Sequence, residues 1–163
     1  MRIAICPGSF DPVTIGHLDI ITRASELFDK IIVVVMDNAQ KNNYFIPEER
    51  VEMLQTVIAA SGLKNVETDI YHGLLADYVT VKKAIAIVKG LRAVSDFEYE
   101  FQMAMINKKL APSADTVFLT TRTENMYLSS SIVRQVASFG GDISPFVPAV
   151  VHSKIVDRLK VKR

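Results

Sequence analysis

The sequence predicts an α/β protein with a Rossmann-like, doubly wound parallel sheet of five strands and helices on both faces. Short runs rich in Ile and Val alternate along the chain with helical patterns, and this alternation is typical of βαβ units. The runs are apolar at consecutive positions, as expected of strands that are buried on both faces. No repeat, low-complexity tract or linker divides the chain, so residues 1–163 are predicted to form a single domain.

The elements of the first half follow from apolar runs and helix-start signals. The first strand is a buried run that Pro7-Gly8 ends, and the helix after it has apolar residues on one face. The second helix begins at Pro47, which suits the first helical position, and acidic Glu48 and Glu49 suit its first turn. The predicted order is strand Arg2–Cys6, helix Gly16–Phe28, strand Lys30–Met36, helix Pro47–Ala60 and strand Asn65–Tyr71.

The second half continues the alternation, with glycine and proline marking the ends of elements. Gly90 ends the fourth predicted strand, Ala111-Pro112 stops the long helix that follows, and Gly140-Gly141 closes the next helix. The predicted order is helix Leu74–Lys83, strand Ala84–Val88, helix Asp96–Leu110, strand Asp115–Leu119, helix Ser130–Phe139 and helix Pro148–Lys160.

The composition argues against several classes of protein. The 19 Lys and Arg residues nearly balance 18 Asp and Glu residues, so no bulk charge favours a nucleic acid or an anionic membrane as partner. The single cysteine, Cys6, cannot form an intrachain disulfide and fits a reducing compartment. The longest apolar run, Ile31–Met36, is far shorter than the roughly 20 residues that span a bilayer. We therefore expect a soluble, cytoplasmic protein.

The loop after the first predicted strand carries residues suited to binding an anionic ligand. In a doubly wound sheet, ligands bind beyond the carboxyl ends of the strands, where the strand order reverses. Gly8 would let the backbone approach a ligand, Ser9 offers a hydroxyl, and His17 lies at a helix N-terminus, where free N–H groups favour anions. Gly16 in the first helical turn costs stability, so a close ligand is one reason for it. Taken singly, each residue is also compatible with an ordinary turn or a structural role.

Three other loops offer cations and hydroxyls. Lys41 follows the second strand, either as a solvated lysine or as a mobile cation that closes over phosphates. Lys89 and Arg92 flank a glycine at the end of the fourth strand, where they could hold phosphate oxygens or simply aid solubility. Ser129–Ser131 precede a helix, and Arg134 follows one turn later. One serine there is an ordinary helix cap, but the cluster suits the β- and γ-phosphates of ATP.

Together, these loops match a known family. Thr14-Ile15-Gly16-His17 fits the T-x-G-H motif of the nucleotidyltransferase superfamily, and it is neither a Walker loop nor G-x-G-x-x-G. From end to end, the chain resembles the bacterial phosphopantetheine adenylyltransferases. The segments that carry the resemblance most strongly are Pro7–Pro12, Gly90–Glu100 and Ser129–Ser131. Gly90–Glu100 is the most specific of them, because the wider superfamily does not share it.

The resemblance implies an enzyme of coenzyme A biosynthesis. Its reaction would transfer AMP from ATP to 4′-phosphopantetheine, giving dephospho-CoA and pyrophosphate, with Mg²⁺ accompanying ATP and no dedicated metal ligands in the protein. It also implies a homohexamer. The implied catalytic residues are His17, Lys41, Ser9 and Arg92. The implied ATP-binding residues are Ser9, Phe10, His17, Gly90, Leu91, Arg92, Glu100, Asn125, Met126, Tyr127, Leu128, Ser129, Ser130 and Ser131. The implied acceptor-binding residues are Ser9, Lys41, Leu75 and Lys89.

Three positions depart from common features of this family. The family often has threonine where this chain has Ser9, and that change keeps the hydroxyl. It often has arginine where this chain has Lys89, and lysine keeps the charge but loses the bidentate fork. Some members carry a tryptophan at the position of Asn125.

Two rival functions and one question about assembly stay open at this point. A sister enzyme acting on nicotinamide mononucleotide or a phosphorylated small alcohol would share Thr14–His17 but has no reason to share Gly90–Glu100. A non-catalytic nucleotide-binding domain would need only a subset of the candidate residues. The helix Asp96–Leu110 is apolar on more than one face, so it is either buried within one subunit or part of a subunit interface.

Overall fold

A five-stranded, all-parallel sheet forms the centre of the computed structural model, with its strands in the order β3-β2-β1-β4-β5. The structure describes residues 1–37 and 42–159, and it describes residues 94 and 95 by their backbone alone. The strands are β1 Ile3–Gly8, β2 Lys30–Met36, β3 Val66–Tyr71, β4 Ala86–Leu91 and β5 Asp115–Thr120. The helices are α1 Ile15–Leu27, α2 Pro47–Ala60, α3 Leu75–Val81, α4 Val94–Leu110, α5 Ser130–Ser138 and α6 His152–Leu159.

Helices cover both faces of this sheet, which confirms the predicted fold class. Neighbouring strand residues point to opposite faces, so each buried strand contributes to two hydrophobic clusters. Val33 belongs to the cluster that includes α1, α2, α5 and α6, whereas Ile32 and Val34 belong to the cluster that includes α3. Each fully buried aliphatic side chain stabilises the fold by roughly 1.5–3 kcal/mol.

The chain reverses its direction of winding between β1 and β4, and these two strands part early. Their pairing covers only Ala4 with Ala86 and Ile5 with Ile87. Beyond these residues β1 continues alongside β2, and β4 continues alongside β5. A crevice therefore opens at the carboxyl ends of β1 and β4, where a doubly wound sheet binds its ligand.

Two predicted strand ends were wrong. Pro7 and Gly8 belong to β1, where they pair with Val34 and Val35 of β2. This part of β1 has no ladder pairing to β4, so the missing N–H of proline is tolerated as it is on an edge strand. Gly90 likewise lies within β4, opposite Leu119 of β5. A Cβ at Gly90 would lie 3.0 Å from the Ile20 side chain, so this glycine lets α1 pack closely.

The last predicted helix also differs from the structure. Instead of one helix from Pro148, a 3₁₀ turn occupies Ala149–Val151 and α6 begins at His152. The predicted end at Lys160 falls outside the described residues. The predicted helix Leu74–Lys83 is shorter in the structure, because Lys83 adopts a left-handed conformation with φ of 52°.

The long helix α4 leaves most of its apolar side chains exposed. Its large exposed side chains are Phe97, Tyr99, Phe101, Met105, Ile106 and Leu110. The predicted alternative that these side chains are buried within one subunit is therefore wrong. The interface alternative is compatible with this exposure, since contiguous apolar surface commonly marks an interaction site.

Candidate active site

The crevice between β1 and β4 widens into a cleft of about 530 Å³. Its walls come from the loop after β1, the first turns of α1, the end of β4, and the segment leading into α5. The predicted residues that line it are Ser9, Phe10, His17, Lys89, Gly90, Arg92, Glu100, Asn125, Leu128, Ser129, Ser130 and Ser131. Residues from separate loops, strand ends and helices, including Glu100 of α4, therefore meet in one cleft.

The turn between β1 and α1 is built around the ring of Phe10. This residue is buried and has a φ of 48°, a left-handed conformation that costs energy for a non-glycine residue. A Cβ at Gly8 would lie 2.9 Å from the Phe10 ring. Gly8 thus gives space to this ring and also lines the cleft, so its close approach to a ligand stays a prediction. The other side of the ring meets His17 edge-on, with 5.0 Å between the ring centroids.

His17 is fixed by the cap of α1. Thr14 is the N-cap residue, and its side chain accepts a hydrogen bond from the His17 backbone N–H at 3.3 Å. In return, Nδ1 of His17 accepts from the backbone N–H of Thr14 at 3.0 Å. Because Nδ1 is an acceptor, the proton of the neutral ring lies on Nε2. The cap therefore leaves His17 with one N–H donor for a ligand in the cleft.

The protonation of His17 is set by its surroundings. Burial, followed by the positive charge of Arg92, lowers the pKa of His17 from 6.5 to about 4. At neutral pH the imidazole of the ligand-free protein is uncharged and acts as a single hydrogen-bond donor.

Arg92 connects the end of β4 with the segment before α5. Its Nε donates to the Asp96 carboxylate at 3.1 Å, and Nη1 donates to the carbonyl of Leu128 at 3.0 Å. These bonds use two of the five guanidinium donors. The half-buried guanidinium is thus held at the cleft wall with further donors for an anion.

The three serines of the segment 129–131 make different contacts. Ser129 caps α5, because its Oγ accepts from the backbone N–H of Ile132 at 3.2 Å. The Ser130 hydroxyl donates to the carbonyl of Pro12 at 2.7 Å and so ties α5 to the first loop. Ser131 is exposed, and its Oγ lies 2.9 Å from that of Ser129. The cluster therefore combines hydroxyls with the free N–H groups of a helix N-terminus, which attract anions.

A smaller cavity of about 100 Å³ adjoins the cleft. Leu75 of α3, Ile87 of β4 and Met103 of α4 contribute to its lining. Lys89 and Glu100 line both cavities, and their charged atoms lie 3.2 Å apart. This ion pair stands where the two cavities meet. Leu75 and Lys89, both predicted to bind the acceptor, line the smaller cavity.

The comparisons with known proteins agree with this arrangement. Residues 5–136 match the family described as cytidylyltransferase-like. Over 160 residues the chain is 53% identical to the phosphopantetheine adenylyltransferase of Caldanaerobacter subterraneus subsp. tengcongensis, covering 98% of this chain and 99% of the relative. It is 54% identical to that of Alkaliphilus metalliredigens, covering 93% of this chain and 95% of the relative. The chain belongs to the phosphopantetheine adenylyltransferase family.

Solved structures share the fold of this adenylyltransferase at low sequence identity. A bifunctional NMN adenylyltransferase/ADP-ribose pyrophosphatase of Francisella tularensis is 18% identical, with a TM-score of 0.70 over 96% of this chain and 49% of that one. A proposed nicotinate-nucleotide adenylyltransferase of Vibrio parahaemolyticus is 20% identical, with a TM-score of 0.69 over 97% of this chain and 96% of that one. This likeness concerns the fold alone.

Not every predicted residue of this family member lies at the cleft. Met126 and Tyr127 are exposed, and together with Leu91 they fall outside its lining. Lys41 falls outside the described residues. The predicted stretch 125–131 is therefore divided, because Asn125 and Leu128 are buried at the cleft wall while the two residues between them project outward.

Two buried charged residues were missed by sequence reasoning. The Asp11 carboxylate accepts from the backbone N–H groups of Tyr44 and Phe45 at 3.0 and 2.9 Å, and it lies 3.5 Å from the Arg134 guanidinium. Arg50 is wholly buried beneath the first loop. The available signal was a cation in the first turn of a helix, where the helix dipole disfavours positive charge.

Two features are absent from the part of the chain that the structure describes. Residues 1–37 and 42–159 contain no group of three or more His, Cys, Asp or Glu side chains that could hold a metal ion. Among the same residues, none of the helices has the length and apolar character required to cross a bilayer. The role of Mg²⁺ and the cellular compartment both stay predictions.

The lowered pKa of His17 predicts how stability depends on pH. The unfolded chain takes up a proton at His17 below about pH 6.5, whereas the folded protein does so only near pH 4. The free energy of unfolding should therefore fall as the pH drops from 6.5 to 4, by up to about 3 kcal/mol. The free energy of unfolding, measured with urea across this range, should depend less steeply on pH in His17→Asn than in the wild type. Equal slopes would contradict the lowered pKa.

Proposed function

We propose that this enzyme transfers the AMP part of ATP to 4′-phosphopantetheine, giving dephospho-CoA and pyrophosphate in coenzyme A biosynthesis. The observation that carries the proposal is the pair of adjoining cavities that meet at Lys89 and Glu100. The larger one is lined by donors suited to a polyphosphate. The smaller one has apolar side chains beside a lysine, as an acceptor with a phosphate and an aliphatic arm requires. The names of the relatives support this pairing of substrates.

The proposed reaction is a direct displacement. The acceptor phosphate attacks the α-phosphorus of ATP, one P–O bond forms, and the bond to the leaving pyrophosphate breaks. The attacking phosphate is already an anion at neutral pH, so the reaction requires no strong general base and no covalent enzyme intermediate. The difficulty is to bring two anions together, and positioning can contribute up to about 7–11 kcal/mol.

The cleft residues have distinct proposed roles. His17 donates its Nε2–H to the α-phosphate as negative charge develops there, a contribution of about 3–4 kcal/mol for a well-placed donor. Ser9 orients the incoming phosphate. Arg92 and the serines 129–131 hold the β- and γ-phosphates. Lys41 is proposed to act beside His17.

Mg²⁺ is proposed to enter as part of the substrate MgATP. This ion keeps several of its waters and binds readily to the phosphates of a nucleotide. The donors that line the cleft suit the phosphate oxygens of that complex. The cytoplasm is the proposed compartment, because ATP is present there and the single Cys6 needs no oxidising environment.

Pyrophosphate release tests the proposed reaction. The purified protein is incubated with ATP and Mg²⁺ together with 4′-phosphopantetheine, with nicotinamide mononucleotide or with no acceptor. We expect release only with 4′-phosphopantetheine, together with dephospho-CoA. Release with another acceptor would keep the chemistry and overturn the substrate. ATP binding without release for any acceptor would favour a binding domain.

Lys89 provides a test of acceptor binding. Lys89→Met removes the charge beside the smaller cavity, so the KM for the acceptor is expected to rise about 10–100-fold with little change in the KM for ATP. Lys89→Arg keeps the charge and adds the bidentate fork that the family often has, so it is the matched control and should bind the acceptor at least as well as wild type. Steady-state kinetics in each substrate measures both values. An unchanged acceptor KM in Lys89→Met would remove this residue from the acceptor site.

We further propose that copies of the chain assemble through the exposed apolar face of α4. The homohexamer implied by the family resemblance would cover Phe97, Phe101 and Leu110, which one copy leaves exposed. Light scattering should then give a mass six times the 18.1 kDa of the chain. A monomeric mass at micromolar concentration would overturn assembly.

A further inference from the structure

A wholly buried arginine lies beneath the candidate site. Arg50 is in the first turn of α2 and has no exposed surface. Its Nη1 donates to the carbonyl of Ser9 at 2.9 Å, and its Nη2 donates to the carboxylate of Asp37 at 3.0 Å. The side chain therefore connects the loop after β1 with the end of β2.

This position is an unfavourable one for a cation. The first turn of a helix carries partial positive charge, and α2 otherwise places Glu48 and Glu49 there. A buried charge is costly unless it is paired and hydrogen-bonded. Asp37 supplies the counter-charge, yet Nε of Arg50 has no hydrogen-bond partner within the described ranges. The contacts made by the two terminal nitrogens must account for the presence of this residue.

The Ser9 carbonyl precedes the strained residue of the first loop. Phe10 has its φ of 48° directly after Ser9, and such a conformation persists only where its surroundings determine it. The Phe10 ring in turn meets the His17 ring, with 5.0 Å between centroids. A continuous series of contacts thus runs from Arg50 through Ser9 and Phe10 to His17.

We propose that Arg50 is a positioning residue for adenylyl transfer, holding the Ser9–Phe10 turn so that His17 is correctly placed toward the α-phosphate. The inference rests on the proposed function, since it assigns Arg50 to the same site. Arg50 does not touch the reacting atoms and acts through the Ser9 carbonyl. The alternative is that Arg50 only stabilises the packing of α2 on the sheet.

Two variants of Arg50 and one control separate these alternatives. Arg50→Lys keeps the positive charge near Asp37 but loses the fork that spans two acceptors, and Arg50→Met removes both interactions. Leu54→Ala is the matched control, because Leu54 is also wholly buried on α2, one turn further along, and belongs to the hydrophobic core. All three are expected to lower the melting temperature.

Kinetics of the folded proteins provide the first measurement. Misplacement of His17 by about 1 Å is expected to lower kcat about 10–100-fold in both Arg50 variants, while the KM for ATP stays within about threefold. Leu54→Ala should keep the wild-type kcat. Wild-type kcat in Arg50→Lys would overturn the proposal, and so would an equal loss of kcat in Leu54→Ala.

Histidine NMR provides a second measurement that needs neither substrate. The chain has three histidines, and His17→Asn identifies the signal of His17. In the Arg50 variants the pKa of His17 should move upward from about 4 toward 6.5 as the loop relaxes, and in Leu54→Ala it should stay. An unchanged titration in Arg50→Lys would overturn the positioning role, even if Arg50→Met does not fold. This result is independent of the acceptor, so it distinguishes failure of this inference from failure of the proposed function.

Discussion

Replacement of His17 by alanine is expected to lower kcat about 10²-fold or more while leaving ATP binding mostly intact. The Nε2–H of the neutral ring is the donor proposed to stabilise charge on the α-phosphate, and loss of one such donor typically costs about 10²–10³ in kcat. Binding should change little, because the other cleft residues are the ones proposed to hold the β- and γ-phosphates. Single-turnover kinetics and calorimetric titration with ATP measure the two effects separately.

The side chain of His17 also caps α1, so this variant needs a control for stability. Loss of the bond from the Thr14 N–H to Nδ1 should lower the free energy of unfolding by about 1 kcal/mol. In His17→Asn the side-chain oxygen can accept that bond, but the amide is too short to reach the ligand in place of Nε2. We expect stability to recover without activity. Activity of either variant within threefold of wild type would remove His17 from the transition state.

Replacement of Arg92 by alanine is expected to reduce kcat/KM for ATP about 10²-fold or more. Hydrogen bonds between charged partners contribute about 1.5–3 kcal/mol each, and an arginine can make two to phosphate oxygens. The change also leaves Asp96 without its ion-pair partner and frees the Leu128 carbonyl at the segment before α5. Steady-state pyrophosphate release over a range of ATP concentrations measures the loss.

Arg122→Ala is the matched control for Arg92→Ala. It removes the same charge from an exposed arginine outside the cleft, and its partner Asp19 keeps an ion pair with Arg23. We expect kcat/KM within about threefold of wild type. The pKa of His17 should rise in Arg92→Ala, because the positive charge of Arg92 helps to lower it. Equal kinetics of the two variants would exclude Arg92 from phosphate binding.

Much of the fold could be predicted because single elements obey local rules. The bounds of β2 and α2 agree with the sequence, since Ile31–Met36 is a continuous apolar run and Pro47 fits the first turn of a helix. The ends of β1 and β4 were missed for a non-local reason. Whether Pro7 or Gly90 ends its strand depends on which strands neighbour it in the sheet. The alternation of strands and helices along the chain does not define that strand order.

The candidate site was predictable where its parts lie in loops after strands. The carboxyl ends of parallel strands meet at one edge, so Ser9, His17 and Arg92 come together once the fold class is known. The hydrogen bond from Arg50 to the Ser9 carbonyl joins residues that are 41 positions apart in the sequence, so no local sequence pattern predicts it. The capping role of Ser129 was open to prediction, whereas the bond from Ser130 to Pro12 depends on how α5 packs.

Because β1 and β4 separate early, part of the cleft wall consists of main chain. Beyond Ile5 and Ile87 the two strands no longer pair with each other, so the interior of the sheet contains two short internal edges. A ligand that contacts both walls of the cleft would connect the two halves of the sheet, so the backbone amides at these walls should exchange more slowly when ATP is bound.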